Sequence, residues 1–360
     1  MPHAARIVHL DFSLVWRGGQ QQLLLLARGL RALEQQQTLV ARPGVVMQRM
    51  QAEGFEVVPP GLAAWQRTRQ AAVAHAHDGH AHTWMLGTGL LRRRPQRGLR
   101  VLSRRVAYPI AGRGSRWKYR RLDLVIAVSE YVRRQVAATG LETDRIRVIP
   151  DGIEADTLPA ASCARERVRR SLRIDPAAPC LACLGALTPE KGVGNLLAAF
   201  ARLPAACQLL LSGEGPLQAS LRRQAEALAM GARVHFLAAA DFSPSECVAA
   251  ADLFVMPSRE EGLGSAALLA MGLGRPIVAT AVGGIPELVH HQISGWLVPA
   301  GDGYSHIQAL ANACARVLGD PERAAQMVAA GLRQVSDHHG SSRIAASTLA
   351  AYHTTPRRRS

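Results

Sequence analysis

Short apolar segments alternate with helix-patterned segments along almost the whole chain, in two successive series. The first series contains RIVHLDF, VAHAHD and LVIAVS, and the second contains CLACLGAL, DLFVMP and PIVATA. Strands that are apolar along their whole length are typical of parallel sheets covered by helices on both faces. The alternation therefore predicts an α/β protein with two doubly wound, Rossmann-like domains.

A polar, arginine-rich stretch near Ser162–Asp175 separates the two series. We predict one domain over 1–160 and another over 161–336, with a C-terminal helix at about 337–356 that packs back on the first. With 360 residues, each domain is long enough to bury its own core. Ligands of such folds bind beyond the carboxyl ends of the strands. We therefore expect the two domains to face each other across a cleft that holds the site.

The charge of the chain is strongly basic and uneven. The formal net charge is +16, and Arg92–Arg121 contains twelve basic residues and no acidic one, with Tyr108, Trp117 and Tyr119 interleaved. Such a surface suits partners that carry phosphate, including an anionic inner-membrane face. The alternative is a solvated face in an arginine-biased composition. No nucleic-acid partner is expected, because no reader motif accompanies the charge.

The lack of a membrane-spanning or signal-peptide pattern, together with the cysteine pattern, favours a location in the cytoplasm. A peripheral position on the inner face of the cytoplasmic membrane is also compatible with these patterns. No apolar run approaches the roughly 20 residues that span a bilayer, and the start resembles a strand rather than a signal peptide. Cys180 and Cys183 lie in a strand pattern that points their side chains in opposite directions. We therefore expect buried apolar thiols there, not a redox or metal pair.

Several motifs that bind cofactors or metals are missing from the sequence. There is no complete G-x-G-x-x-G, no Walker A sequence and no G-x-S-x-G. No Asp-x-Asp pair is present to hold a metal on a nucleotide diphosphate. The sequence therefore predicts neither a bound cofactor nor a metal.

Lys191 is the strongest candidate for binding phosphate. It precedes Gly192 and Gly194 at the start of a predicted helix, where a point charge adds to the helix dipole. Only two of the 43 basic residues are lysines, which favours a function over a solvated loop lysine. The turns Gly18-Gly19 and Gly283-Gly284 each follow a strand and open a helix, so their backbone amides are suited to an anion. A tight strand–helix turn also requires glycine.

Four histidines surround a predicted strand end: His75, His77, His80 and His82 in HAHDGHAH. Metal binding is one interpretation, but no cysteine or glutamate nearby completes a ligand set. We expect instead that His77 acts at the rim of the cleft as a hydrogen-bond donor to a hydroxyl or phosphate.

Two adjacent carboxylates, Glu260 and Glu261, lie in a glycine-flanked turn before an apolar helix. Eight residues after Glu261, where a second acid could return to the same site, the chain has Leu269. A cleft with phosphate-binding groups and one positioned acid has what is needed to break a bond to a diphosphate leaving group.

Taken together, these segments resemble the family 4 retaining glycosyltransferases of the GT-B fold. The resemblance rests on HAHD, AVSEYVR, VIPDGI, LTPEKG, GEGP and the long run ADLFVMPSREEGLG…AMGLGRPIVATAVGGIPELV. SRRV and WKYRR are similar to segments of members that build bacterial cell-surface polysaccharide or lipopolysaccharide core.

The resemblance implies a nucleotide-diphosphate sugar on the second domain and a saccharide or lipid-linked acceptor on the first. Lys191 would neutralise the departing diphosphate, Glu261 would orient the sugar and its reaction centre, and His77 would touch the transferred sugar. The other implied contacts to the nucleotide sugar are Gly18, Gly19, Gly262, Gly264, Gly283, Gly284 and Glu287.

The chain departs from the family pattern at two positions. Ala186 replaces an arginine that many members carry, and Leu269 replaces the second glutamate, which commonly holds the ribose hydroxyls. Loss of that carboxylate should weaken nucleotide binding by roughly 30- to 100-fold. A GT-B protein that binds sugar nucleotides with little or no catalysis is therefore an alternative. So is a sugar-nucleotide epimerase on the same fold, although the EEGLG…VGGIPE pattern argues against it.

Overall fold

The computed structural model describes residues 6–89, 98–154, 161–238 and 240–356. The chain divides into two compact units: unit 1 is Met1–Gly152 together with Ser341–Ser360, and unit 2 is Ile153–Gly340. The first boundary thus lies eight residues before the predicted one at 160/161.

Unit 1 is built on a parallel sheet with the strand order β3-β2-β1-β4-β5-β6-β7 in the described residues. Because β1 pairs with β4, the strand order reverses between them, and the loops that follow these two strands diverge there. The strands are β1 (Ile7–Asp11), β2 (Gln37–Ala41), β3 (Val57–Val58), β4 (Val73–Ala76), β5 (Leu99–Arg104), β6 (Leu124–Ala127) and β7 (Ile146–Val148).

The helices of unit 1 cover this sheet with their apolar sides. In α1, Leu26 and Leu30 join one cluster of buried residues, and Leu23 and Leu24 join another. The helices are α1 (Gly18–Ala32), α2 (Val45–Ala52), α3 (Leu62–Gln70), α4 (Gly79–Gly89), α5 (Arg113–Arg120) and α6 (Glu130–Ala137), with a 3₁₀ turn at Thr143–Arg145.

Unit 2 repeats the design with the strand order β10-β9-β8-β11-β12-β13, again parallel where described. Here the order reverses between β8 and β11. The strands are β8 (Cys180–Leu184), β9 (Gln208–Ser212), β10 (Val234–Leu237), β11 (Leu253–Met256), β12 (Ile277–Thr280) and β13 (Trp296–Val298). The helices are α7 (Ala161–Ser171), α8 (Val193–Phe200), α9 (Gln218–Ala227), α10 (Pro244–Ala249), α11 (Ser265–Gly272), α12 (Ile285–Leu288), α13 (Gly303–Gly319) and α14 (Pro321–His338), with a 3₁₀ turn at Pro189–Lys191.

The segment predicted as one helix over 337–356 is split in two. α14 ends at His338, and α15 (Ser341–Thr354) begins after Gly340. The Ile153 N–H donates to the His339 carbonyl at 2.8 Å, so the chain is held in an extended pairing at this point and the helix is interrupted. α15 then packs in unit 1, where Ala345 and Tyr352 are buried in the same cluster as Ile7.

The thiols of Cys180 and Cys183 are both buried on β8. Burial raises the pKa of each thiol to about 12, which keeps both protonated and poorly nucleophilic. In the described part of the chain, no helix combines the length and apolarity needed to cross a bilayer.

Candidate functional site

Lys191 and Glu261 form the centre of the candidate site in unit 2. Lys191 ends the 3₁₀ turn after β8, and Glu261 lies in the loop after β11, so both follow the strands between which the order reverses. The Lys191 Nζ lies 2.6 Å from the Glu261 Oε2, and the Ser258 hydroxyl donates to the same oxygen at 3.3 Å. Two groups seventy positions apart in sequence are thus joined by a charged hydrogen bond.

The surroundings of this pair are partly shielded from water. The Lys191 side chain is 26% exposed and that of Glu261 is 13% exposed. Lys191 and Ser258 line a small pocket whose other walls are largely apolar, including Leu187, Val193 and Met256. In such surroundings an anion that meets Lys191 gains more electrostatic energy than it would in open water.

Two glycines allow the loops of the site to pack backbone against backbone. Gly192 has φ +65°, and a Cβ there would lie 2.0 Å from the carbonyl oxygen of Pro257. Gly283 has φ +58°, and a Cβ there would lie 1.9 Å from the carbonyl oxygen of Glu261. Both positions exclude a side chain. The predicted glycine turns therefore fix where Lys191 and Glu261 stand.

The Gly283-Gly284 turn does not offer both of its amides to a ligand. The Gly284 N–H donates to the Glu261 carbonyl at 3.1 Å, so this amide is engaged within the protein, and the contact of the turn with a diphosphate or sugar stays a prediction. Gly284 instead supports the loop that carries Glu261. Glu287 lies in α12 and is exposed.

The other predicted residues in and after the loop that carries Glu261 differ in their burial. Gly262 is buried, and Gly264 adopts φ +108° just before α11 begins. Of the two adjacent carboxylates, Glu260 is exposed. Leu269 lies on α11 and is half-buried.

Near Lys191 and Glu261 the structure also shows a cluster of three interacting polar side chains, Arg259, Asp302 and Asn195, which the sequence did not single out. Arg259 forms an ion pair with Asp302 at 2.7 Å, and the Asn195 side-chain amide donates to the same carboxylate at 3.2 Å. The backbone N–H of Arg259 also donates to the Glu190 carbonyl at 2.8 Å. This bond connects the loop that carries Glu261 with the 3₁₀ turn that carries Lys191. In the sequence, Arg259 stands out only because it is two residues before Glu261. Asp302 lies in a separate polar turn far along the chain, so the sequence does not indicate that the two interact.

In unit 1, Gly18 and Gly19 open α1 after the loop that follows β1. A Cβ at Gly19 would meet no atom within 4 Å, so packing within the protein does not require glycine there. The loop is anchored by Asp11, whose carboxylate accepts from the Gln20 side chain and from the Ser13 N–H, both at 2.9 Å. Burial raises the pKa of Asp11.

Of the four histidines in HAHDGHAH, His75 and His77 lie together at the end of β4, while His80 and His82 lie on α4. They are joined by His9 from β1: its Nδ1 lies 3.1 Å from the His77 Nε2. His9 was missed because a single histidine in an apolar strand gives no sequence signal.

His9, His75 and His77 are close enough to share a metal ion, since one nitrogen of each lies within 4.8 Å of the others. Their nitrogens, however, already take part in hydrogen bonds. His75 contacts the Tyr352 hydroxyl at 2.6 Å and the Ser103 hydroxyl at 2.8 Å. His9 contacts the Gln37 side-chain oxygen at 3.1 Å. A cation would have to displace these bonds, so the donor set favours a hydrogen-bonded cluster.

The sequence and the fold match known glycosyltransferases. The model of the Glycosyltransferase Family 4 matches residues 16–157, and the model of the Glycosyl transferases group 1 follows it over residues 164–334. Two doubly wound parallel domains in one chain are the architecture of the GT-B class, and solved glycosyltransferases share this fold. The chain belongs to the family 4 glycosyltransferases of that class.

Individual sequence relatives and solved structures are similar to this chain. Alpha-maltose-1-phosphate synthase of Mycolicibacterium smegmatis is 33% identical over 242 residues, which cover 64% of this chain and 62% of that protein. The chain thus spans about three fifths of that relative's length. HepE of Anabaena, solved with UDP and glucose, has a TM-score of 0.84 and 21% identity over 96% of this chain and 100% of that one. WaaG, a glycosyltransferase involved in lipopolysaccharide biosynthesis, has a TM-score of 0.70 and 18% identity, with coverages of 95% and 99%.

Proposed function

We propose that the protein transfers a sugar from a nucleotide-diphosphate donor to a hydroxyl of a saccharide or lipid-linked acceptor. The transfer would retain the anomeric configuration and require no metal. The observation that supports this most directly is the Lys191–Glu261 pair at the point where the strand order of unit 2 reverses. Phosphate-bearing ligands of doubly wound sheets bind at that point.

Lys191 supplies the charge that a departing diphosphate needs. In the present arrangement the Glu261 carboxylate already neutralises part of that charge at 2.6 Å. When the bond to the diphosphate breaks, negative charge grows on the leaving oxygen and draws the Lys191 ammonium toward it. The interaction therefore strengthens in the transition state, which is the condition for accelerating the reaction.

Glu261 then becomes available for the sugar. The Ser258 hydroxyl donates to its carboxylate and the Gly284 N–H donates to its backbone carbonyl, so the position of Glu261 does not depend on Lys191 alone. A fixed carboxylate can accept hydrogen bonds from two sugar hydroxyls and orient the anomeric carbon.

The proposed reaction is a substitution at the anomeric carbon. The bond from that carbon to the diphosphate oxygen breaks, and the acceptor hydroxyl oxygen forms a bond to the same carbon from the same face. The acceptor proton passes to the departing phosphate oxygen, so the products are the glycoside and the nucleoside diphosphate. The positive charge of Lys191 offsets the negative charge of that leaving group, so no metal is needed for this purpose.

The direct test is transfer by the purified protein with a panel of UDP-, GDP- and ADP-sugars, with and without lipid-linked acceptors. The donor that binds should first be found as the one that raises the melting temperature. Turnover that persists in EDTA supports the proposal. Binding without turnover for every donor and acceptor would instead identify a sugar-nucleotide-binding protein.

Leu269→Glu is expected to tighten binding of the nucleotide. The side chain lies half-buried on α11, eight residues after Glu261, where the family resemblance places a carboxylate on the ribose hydroxyls. Two charged hydrogen bonds to a diol should improve the Kd measured by calorimetry by about 30-fold. The improvement should vanish with a 2′,3′-dideoxynucleotide, which lacks the diol. Unchanged or weaker binding would show that the pocket has been rebuilt around an apolar contact.

We further propose that unit 1 binds an anionic membrane surface. Arg92, Arg93, Arg94 and Arg97 of the predicted basic surface lie outside the described residues. Within the described part, α5 presents exposed arginines next to Trp117, which is 44% exposed and has the Arg121 guanidinium 4.8 Å from its ring centroid. Arginine beside an exposed aromatic ring is suited to a headgroup region, where the ring sits at the interface and the charge meets phosphate.

Removing three of these charges should weaken membrane binding about 10²-fold, since each basic side chain near an anionic surface contributes about 1 kcal/mol. The measurement is co-sedimentation with phosphatidylglycerol vesicles at 0.1 M salt, with phosphatidylcholine vesicles as the uncharged reference. Equal loss in a matched triple variant of unit 2 would contradict a specific surface and indicate net charge alone. The test substitutions are Arg113→Gln, Arg116→Gln and Arg121→Gln, and the matched ones are Arg202→Gln, Arg222→Gln and Arg223→Gln.

A further inference from the structure

Arg104 is a buried cation at the carboxyl end of β5. It is the last residue of that strand, and only 6% of its surface is exposed. Within the described ranges it forms no ion pair, whereas Arg169, the other arginine buried to this extent there, lies 2.8 Å from the Asp252 carboxylate. A buried charge without a counter-charge is costly, because water no longer solvates it. Arg104 therefore calls for an explanation that Arg169 does not.

The groups around the Arg104 guanidinium are all neutral. Its Nη1 donates to the Tyr119 hydroxyl at 2.7 Å, and its Nη2 donates to the backbone carbonyl of Tyr108. The rings of the same two tyrosines lie over its Cζ atom, with centroids at 5.0 Å for Tyr108 and 5.7 Å for Tyr119. A carbonyl, a hydroxyl and an aromatic face each attract a cation, but none of them carries a full negative charge.

The Nε atom of Arg104 has no hydrogen-bond partner. It is one of four buried side-chain polar atoms without one in the part of the chain that the structure describes, and another is the Nε2 of His82. The His82 ring meets the Tyr119 ring edge-on at 5.4 Å, so both atoms belong to groups that contact the same tyrosine. An ordered water can complete either hydrogen bond, but it cannot neutralise a guanidinium. The partner that satisfies both the N–H and the charge of Arg104 is an anion.

The unpaired N–H of Arg104 belongs to the edge of the guanidinium that suits an oxyanion. Nε and Nη2 point to the same side and bind two oxygens of one phosphate or carboxylate in parallel. In the present arrangement Nη2 is bonded to the Tyr108 carbonyl, and Tyr108 is 58% exposed in the loop after β5. The edge is thus covered by a surface loop, so an oxyanion can replace this carbonyl without unpacking the sheet.

The position of Arg104 fits the acceptor side of the proposed reaction. Ligands of doubly wound sheets bind beyond the carboxyl ends of the strands, and Arg104 ends β5 at that edge of unit 1. Arg104 belongs to the segment SRRV and Tyr119 to the segment WKYRR, and the hydrogen bond between them joins these two segments. The chemistry proposed for Lys191 and Glu261 uses neither segment.

We propose that Arg104 binds a phosphate group of the acceptor through its Nε–Nη2 edge. The assignment to the acceptor rests on the function proposed above, whereas the binding of phosphate does not. Phosphate supplies two oxygens for the edge together with the negative charge that the site lacks, and arginine stays charged at any physiological pH. A sugar phosphate presents a monoester here, and a lipid-linked saccharide presents a phosphodiester. The contact with the guanidinium is the same for both.

The first test is a titration of the full chain, labelled with ¹⁵N-arginine, with inorganic phosphate, followed by NMR at the arginine Nε–H signals. The Arg104 signal is identified by its absence in Arg104→Lys and, independently, by its large displacement in Tyr119→Phe. We expect this signal to shift in a saturable way, with an apparent Kd of about 1–10 mM for two charged hydrogen bonds. Methyl phosphate and dimethyl phosphate then distinguish a monoester ligand from a diester.

The matched control in the same spectra is Arg169, identified through Arg169→Lys. Its Nε–H already donates to the Ala250 carbonyl at 3.0 Å, so its signal should stay in place. An Arg104 signal that does not move with any of the three phosphates would overturn the proposal. So would an equal shift with sodium chloride at the same ionic strength, because the guanidinium would then respond to salt alone.

The second test is transfer to a methyl hexoside and to its 6-phosphate. We expect the native protein to favour the phosphorylated acceptor by about 10²-fold in kcat/KM, and Arg104→Gln to reduce this preference to less than about threefold. Arg134→Gln, which removes an exposed arginine of α6, should keep the native preference. Equal transfer to both acceptors by the native protein would overturn the assignment to the acceptor. If no form of the protein transfers sugar, the proposed function fails, and the titration still decides whether Arg104 binds phosphate.

Discussion

Replacing Lys191 by alanine is expected to lower kcat by about 10³-fold. The reason is that the Lys191 ammonium contacts Glu261 at 2.6 Å and lines the small pocket between the turn after β8 and the loop after β11. Ala186 leaves no arginine in the neighbouring position to compensate. Removing one group that stabilises developing charge costs about 10²–10³-fold in other enzymes, and a full positive charge belongs at the upper end of that range.

The variant has a matched control within the chain. Lys118 is the other lysine, and it donates to the Thr83 hydroxyl on the surface of unit 1. Lys118→Ala removes the same charge and should leave donor affinity and donor hydrolysis unchanged. Because Lys191→Ala also leaves Glu261 without its cation, the variant Lys191→Ala with Glu261→Gln should be measured beside it. A Lys191→Ala protein that retains native kcat would remove the basis for the proposed chemistry.

The sequence could predict the sheets and the loops of the site because these depend on local patterns. Buried strands such as β8 and β11 are short apolar runs, and each is followed by glycine within a few residues. A parallel sheet then brings the carboxyl ends of such strands to one edge. Lys191 and Glu261 were therefore expected in one site before any distance was known.

The partners of these residues could not be predicted in the same way. Whether Glu261 binds a ligand or Lys191 depends on the positions of two loops seventy residues apart, to within about 1 Å. His9 contacts His77 at 3.1 Å, although a single histidine in an apolar strand gives no signal in its own segment. The helix break at Gly340 follows from a backbone bond to Ile153, a contact between distant parts of the chain. Local patterns do not specify such pairings.

Gly283→Ala is expected to lower transfer by at least about 10²-fold while the fold is retained. The added Cβ would lie 1.9 Å from the Glu261 carbonyl oxygen, whereas real contacts of this kind stay beyond 3.0 Å. The Glu261 loop must therefore move by about 1 Å, and a displacement of that size at a reacting group costs about 10²-fold. The move also breaks the bond from the Gly284 N–H that supports the loop.

The matched control is Gly303→Ala. Gly303 has φ +78°, close to the φ of +58° at Gly283, but a Cβ there would meet no atom within 4 Å. Both variants bear the cost of a left-handed alanine, about 1–2 kcal/mol, so both should lose stability in urea denaturation. Only Gly283→Ala should also lose activity and donor affinity. If the two variants lose activity equally, backbone strain explains the effect and the position of Glu261 does not. If Gly283→Ala keeps full activity, the reacting groups do not depend on the loop contact that glycine makes possible.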